Sequence, residues 1–390
     1  MKANVKLYSA VGEELTHYDV DVVALTLTKR KPIKVPAVVQ YAWPHPNRRA
    51  LYVTTSNRGK GMKSDYNHVS ALRIDPASGA LSHLGDPVPL WARAVHCCLT
   101  ADGQYLLNAH NLPHASITVH RINADGSIGS EVKQPAGLAF GIYPHQVMAS
   151  PQTGTVMLID RGNDAKKDQP EDPGALRLFR IDKDGVLSNL AAIAPDGGYG
   201  FGPRHIDFHP VKPWVYASLE RQDQMYMYRM QGESIEAEAA YKRTTLAHHV
   251  EVKKRQLAGP IHVHPNGRTV YVANRNDRTV EYAGQQVWAG GDNTFAVYAI
   301  DQATGEPTLI QNADTRTIHV RTFAFDPSGR MMVAASIEPI KVREGDKVVD
   351  VPATLSVMRV GSDGKLEFVR KFDVESNGKT HYWMGMFGLN

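Results

Sequence analysis

Apolar and polar residues in this chain alternate in short strand-like runs, and the runs repeat. Each unit has an apolar run, a tight turn, and a second run rich in Tyr, Val and Leu. Six such units are visible: Val39–Pro46 with Ala50–Thr54, Ala94–Gly103 with Gln104–Asn108, Pro144–Pro151 with Thr155–Ile159, Pro203–Pro210 with Trp214–Ser218, Pro260–Gly267 with Thr269–Ala273, and Val320–Gly329 with Met331–Ala335. A third run then ends in an Asp-Gly turn, as in Leu178–Gly185 and Leu355–Gly364. Asp-Gly between apolar runs signals a hairpin, because glycine tolerates positive φ. A fourth, outer run follows. No long window carries helical periodicity. Four strands per unit, repeated at roughly 50–60 residues, predict an all-β fold, a β-propeller. A seventh blade can be built from both ends of the chain. Tyr382–Phe387 would be its inner strand, and Val5–Tyr8, His17–Val20 and Val23–Thr28 the other three. That pairing closes a seven-bladed ring and removes exposed strand edges. Residues 1–390 are thus expected to form one domain.

The geometry of a blade tells which side chains meet. The first strand starts, and the second ends, on the same face of the disc. Those positions hold His145 with Asp160 and Arg161, Arg204 and His205 with Glu220, and His262 with Asn274 and Arg275. They also hold His96 with Asn108 and His110, Arg321 with Glu338, and Asn57 with Arg58. Any one polar strand end is ordinary. Arg, His and Glu from six segments converging on one axis predict a concave ligand site. Arginines there would clamp carboxylate or phosphate oxygens in pairs. His and Glu could move protons near neutral pH.

Composition narrows the classes. Hydrophobic residues are 42% and charged residues 22% of 390, as in a globular protein. No apolar run approaches the ~20 residues that span a bilayer, and the first residues lack a signal-peptide stretch. Cytoplasm is the expectation, with no membrane partner. The only cysteines, Cys97 and Cys98, are adjacent. That excludes a disulfide scaffold and a cysteine zinc site, and core packing is the expected role of the pair. Net charge is +4, without a basic block, so nucleic-acid binding is not expected and a small anionic ligand fits better. Among 17 histidines, His248-His249 and His262/His264 are the best metal pairs, yet neither has a clear third ligand. No metal or cofactor is expected. Serine-hydrolase, zincin, P-loop and dinucleotide motifs are missing. Gly197–Gly202 does not fit nucleotide spacing and reads as a rim loop.

Gly202-Pro-Arg-His-Ile-Asp-Phe-His-Pro210 followed by Glu220 resembles a signature of the seven-bladed propeller lactonase family. Tyr143–Val147, Ile261–Gly267 and Tyr271–Arg275 resemble further motifs of that family, in the right order, over roughly residues 35–390. The family includes propeller-type 6-phosphogluconolactonases and 3-carboxy-cis,cis-muconate cyclases. His264 stands where the family has serine, and the Pro46–Arg49 turn lacks its glycine. The resemblance implies a metal-independent site of His145, Arg204, Glu220 and Arg275. His96, His205, His262, Arg321, Glu338 and Asn274 are expected to bind substrate. Lys166–Gly174 and Glu281–Asp292 read as flexible loops that set substrate choice. The expected reaction is hydrolysis of a small anionic lactone, carboxylated or phosphorylated. Two alternatives stay open: a cycloisomerase that forms a lactone from an unsaturated diacid, and a non-catalytic propeller that binds a partner. His145 and Glu220 compete for the role of base, and oligomeric state is left open.

Overall fold

Apolar runs of six to nine residues, alternating with glycine-bearing turns, fold into strands throughout this computed structural model, which describes residues 4–58, 64–247 and 256–389. The strands form seven antiparallel blades. Their inner strands, blades 1 to 7 in order, are Val38–Pro44, Arg93–Leu99, Pro144–Ala149, Pro203–Phe208, Ala258–Val263, Val320–Phe325 and His381–Gly388. Each inner strand packs on the next, and the seventh packs on the first, so the ring closes. In blade 7, His381–Gly388 pairs with Val5–Val11, which pairs with Glu14–Asp21 and then Thr26–Lys34. The closure expected from the two ends is therefore present.

The blades are held by apolar clusters between neighbours. Ile159, Leu176 and Leu178 of blade 3 meet Ile206, Val215 and Tyr228 of blade 4. Leu7 and Val20 of blade 7 meet Val333 and Leu355 of blade 6. Equivalent clusters fill the remaining junctions. Cys97 and Cys98 serve two of them. Successive residues of a strand face opposite ways, so Cys97 packs toward blade 1 and Cys98 toward blade 3. Burial pushes the Cys98 thiol up to about 12, which suits a packing role.

Tyrosines near the start of second strands tie blades together. Tyr8, Tyr52, Tyr105, Tyr216 and Tyr271 each donate a hydroxyl hydrogen bond to a turn carbonyl of the next blade: Gly79, Gly126, Lys183, Gly305 and Gly364. Histidines in inner turns act alike. His209 Nε2 reaches the Gly267 carbonyl at 2.9 Å, and His264 Nε2 reaches that of Gly329 at 2.8 Å. His264 is thus a structural clasp on the face opposite the predicted mouth.

A further regularity positions the site. Every inner strand carries one extra residue against its neighbour near its start. Gln40, Val95, His145, Arg204, Arg321 and Tyr382 are skipped in the pairing, and in blade 5 both Gly259 and Pro260 lie opposite Ala273. Such a bulge bends the strand and re-aims a side chain. Seven bulges at one level form a collar round the axis.

Two expectations about loops change. Glu281–Asp292 is not irregular: Thr279–Tyr282 and Gln285–Trp288 pair as a hairpin, packed on a second hairpin of Ile340–Glu344 with Lys347–Val351. Cross-strand pairing satisfies backbone groups that a loop of this length would leave to water. Lys166–Gly174 is tied down as well. Arg221 Nε contacts Asp164 Oδ1 at 2.8 Å and Arg221 Nη1 donates to Glu171. The Gly200 amide also donates to Glu171 Oε1, at 2.6 Å. Gly197–Gly202 is therefore a rim loop, and its amide meets a carboxylate of this chain.

Candidate active site

The collar brings cations to one mouth of the channel. Arg204 is the bulge residue of blade 4, and its side chain is 0% exposed. Glu220 follows the second strand of the same blade, Trp214–Leu219. Arg275 follows Thr269–Asn274 in blade 5, and Arg161 follows Val156–Asp160 in blade 3. All three arginines converge on Glu220. Arg161 Nη1 donates to Oε2 at 2.8 Å, Arg275 Nη2 donates to Oε1, and Arg204 Nε lies 3.2 Å from Oε1. Arg204 Nη1 and Nη2 have no hydrogen-bond partner among the described residues.

More cations surround this cluster. Arg321, the bulge residue of blade 6, lies over the Tyr382 ring at 5.5 Å. Arg93, at the start of blade 2, is buried and donates from Nε to Gln40 Oε1 at 2.8 Å. Arg161 rests on the Tyr143 ring at 5.0 Å. Three guanidinium groups thus share the Glu220 carboxylate, and Arg321 and Arg93 add two more cations nearby. Burial first, then Arg275, Arg321 and Arg161, push Arg204 well down from its ordinary range. Burial and Arg321 push Arg275 down to about 9, which leaves it charged at neutral pH. Like charges held together in a dry site raise the free energy of the unliganded protein. An anionic ligand relieves that cost.

Imidazoles line the channel beneath. The His145 and His205 rings are 5.1 Å apart, and those of His205 and His96 are 6.1 Å apart. Tyr41 packs on His96 at 3.7 Å. His145 Nδ1 and both ring nitrogens of His96 have no hydrogen-bond partner among the described residues. Burial, then the charge of Arg204, holds His145 well below the usual histidine range. Burial also lowers His205 and His96. These rings are neutral near pH 7.

Seven of the ten expected site residues lie in the cluster or directly beneath it: His145, Arg204, Glu220, Arg275, His96, His205 and Arg321. Three do not. Asn274 is fully buried within blade 5. Its amide donates to the Thr245 carbonyl at 2.6 Å and to Thr294 Oγ1 at 3.0 Å, so it braces the strand end. Glu338 is exposed and lines a groove with Lys341, Asp277 and His319 beside the cluster rather than the cluster itself. His262 sits further along the channel, its Nδ1 3.3 Å from Asp207 Oδ2 and its ring against Phe323. His248-His249 lies outside the described residues. Among those residues, no group of three His, Cys, Asp or Glu side chains could hold a metal ion.

Three contributors carry no role in the sequence reading. Arg161 is a strand-end residue with no assigned task there. Arg93 starts an inner strand one residue before the apolar run at Ala94. His319 precedes an inner strand at φ 60°, a left-handed backbone that favours glycine. Its Nε2 accepts from Arg275 Nη1 at 3.0 Å, and its Nδ1 faces Asp277 Oδ2 at 3.5 Å. No periodicity marks such a residue.

A family model described as "Lactonase, 7-bladed beta-propeller" matches residues 5–342. A 6-phosphogluconolactonase of Bacillus subtilis is 26% identical over 351 residues, covering 85% of this chain and 89% of that protein. One from Pectobacterium atrosepticum is 28% identical over 309 residues, covering 79% and 80%. The solved periplasmic gluconolactonase of Pseudomonas aeruginosa superposes with a TM-score of 0.69 at 21% identity, covering 95% of this chain and 97% of that one.

Proposed function

Because the chain belongs to the seven-bladed β-propeller lactonase family, we propose that it hydrolyses a small anionic lactone at the arginine-lined mouth, without a metal ion. One observation carries this reading: the Arg204 guanidinium is buried, charged by chemistry, and has two nitrogens with no hydrogen-bond partner among the described residues. A buried donor set of that kind fits an oxyanion that forms during reaction.

In this reading each residue has a task. Arg321 and Arg93 hold the carboxylate or phosphate of the substrate. Arg204 faces the lactone carbonyl oxygen through Nη1 and Nη2, while Arg275, whose Nη groups already donate to His319 and Glu220, holds Glu220 in place. His145, neutral and with a free Nδ1, takes a proton as water attacks the carbonyl carbon. The ring C–O bond then breaks, and the proton passes from His145 to the departing alkoxide, giving the open hydroxy acid. Glu220 does not compete for the base role. Both of its oxygens already accept from arginines, so it is a positioning residue that keeps like charges together. A sugar lactone such as 6-phosphogluconolactone, named for the relatives, is the first substrate to test.

The test is acid release from a panel of phosphorylated, carboxylated and neutral lactones, with and without chelator. Faster turnover of anionic lactones, unchanged by chelator, is expected. Equal turnover of neutral and anionic rings would overturn the role of the cations.

A further inference from the structure

The channel has a second end of different chemistry. A cavity of about 380 Å³ opens where the inner strands of blades 1, 6 and 7 finish, on the face away from the arginine cluster. Its lining is largely apolar and holds five aromatic rings, Tyr41, Trp43, Phe323, Trp383 and Phe387, with Met384 and Met386 of blade 7 beside them. One cation, Arg48, stands at its edge in the turn after the first inner strand. Arg48 lies over the Phe387 ring at 5.4 Å, and its amide is tied to the His45 carbonyl at 2.8 Å. Its backbone is left-handed, with φ 59°. The chain holds a non-glycine residue in a conformation that costs free energy. Among the described residues, no carboxylate pairs with Arg48. At the inner end His262 joins the wall, its Nδ1 facing Asp207.

A partly buried guanidinium without a carboxylate partner among the described residues, beside five rings and a volume of this size, defines a narrow ligand class. We propose that this cavity binds an aromatic monocarboxylic acid, with its ring against the aromatic wall and its carboxylate on Arg48. The size suits one or two rings. The positive Arg48 sets the sign of the ligand, and the aromatic walls exclude a polar sugar acid. None of the arginines of the cluster lines this cavity, whose inner end reaches Tyr41 against His96, and the assignment does not depend on the lactone reading.

Calorimetric titration with 3-phenylpropanoate and with its uncharged amide tests the assignment on the full chain. Wild-type protein should bind the acid, and the amide should bind roughly tenfold more weakly or worse. Arg48→Met should weaken acid binding by a similar factor, with an unchanged thermal melt as the sign that the variant folds. Arg204→Met, at the other mouth, should leave acid binding as it is. No binding by wild type, equal affinity for acid and amide, or loss of binding on Arg204→Met would each overturn the proposal. The amide comparison uses wild-type protein alone, so it decides the matter even if Arg48→Met fails to fold.

Discussion

Arg204 has a single carboxylate contact in the folded protein, from Nε to Glu220 Oε1 at 3.2 Å. Its side chain is fully buried, and only Nε approaches a carboxylate, which two other arginines already occupy. Removing such a group relieves repulsion and leaves no carboxylate unpaired. Arg204→Met is therefore expected to melt at the same temperature as wild type or higher. A clear fall in melting temperature would mark Arg204 as a structural residue. His145 supplies a second prediction at this scale. Its buried ring beside Arg204 stays neutral below the ordinary value of 6.5. The acid limb of kcat/KM, which reports the free enzyme, should thus fall below pH 6.5. A midpoint at or above 6.5 would assign the base elsewhere. Individual site residues were legible to the extent that strand ends were. His145, Arg204, Glu220 and Arg275 sit where an inner strand starts or a second strand stops. Asn274 obeys the same rule, yet its amide turns into the blade. His319 breaks the rule, because a left-handed residue ahead of a strand leaves no periodic mark.

Strands and turns explain why those side chains meet. Alternation of apolar residues locates the inner strands, but the bulges that aim Gln40, His145, Arg204, Arg321 and Tyr382 at the axis are a property of pairing. A bulge is invisible until the partner strand is in place. The tyrosines of the second strands look like core residues in sequence, and they are, but their hydroxyls also stitch adjacent blades. Tyr216→Phe keeps the ring and leaves the Gly305 carbonyl without its donor. A cost of about 1 kcal/mol, seen as a fall of ~1–2 °C in melting temperature, is expected from a thermal melt. An unchanged melt would show that water replaces the bond. The paired hairpins at Thr279–Trp288 and Ile340–Val351 were harder to read. They are short and exposed, so neither period nor burial distinguishes them from loops.

Seven blades turn distant segments into one pocket, and the two ends of the chain finish the ring. The seven-fold period and the closing blade were both readable, because each unit must bury its faces on its neighbours. The ring also buries many histidines in neutral form. His96, His145, His205 and His319 are held well below 6.5, and burial brings His110 and His381 down to about 4. In the unfolded chain these rings take protons near 6.5. Between that value and about 4 the unfolded state binds more protons, so stability must fall as pH drops through this window. A melting temperature lower at pH 5.5 than at pH 7.5 is expected, and a higher one would contradict neutral burial.

The most direct check is the rate of 6-phosphogluconolactone ring opening by wild-type and Arg204→Met protein at equal concentration. A fall of about a hundredfold or more in kcat, with folding retained, is the result expected if the buried Nη1 and Nη2 of Arg204 stabilise the developing oxyanion. Equal rates in the two proteins would contradict it.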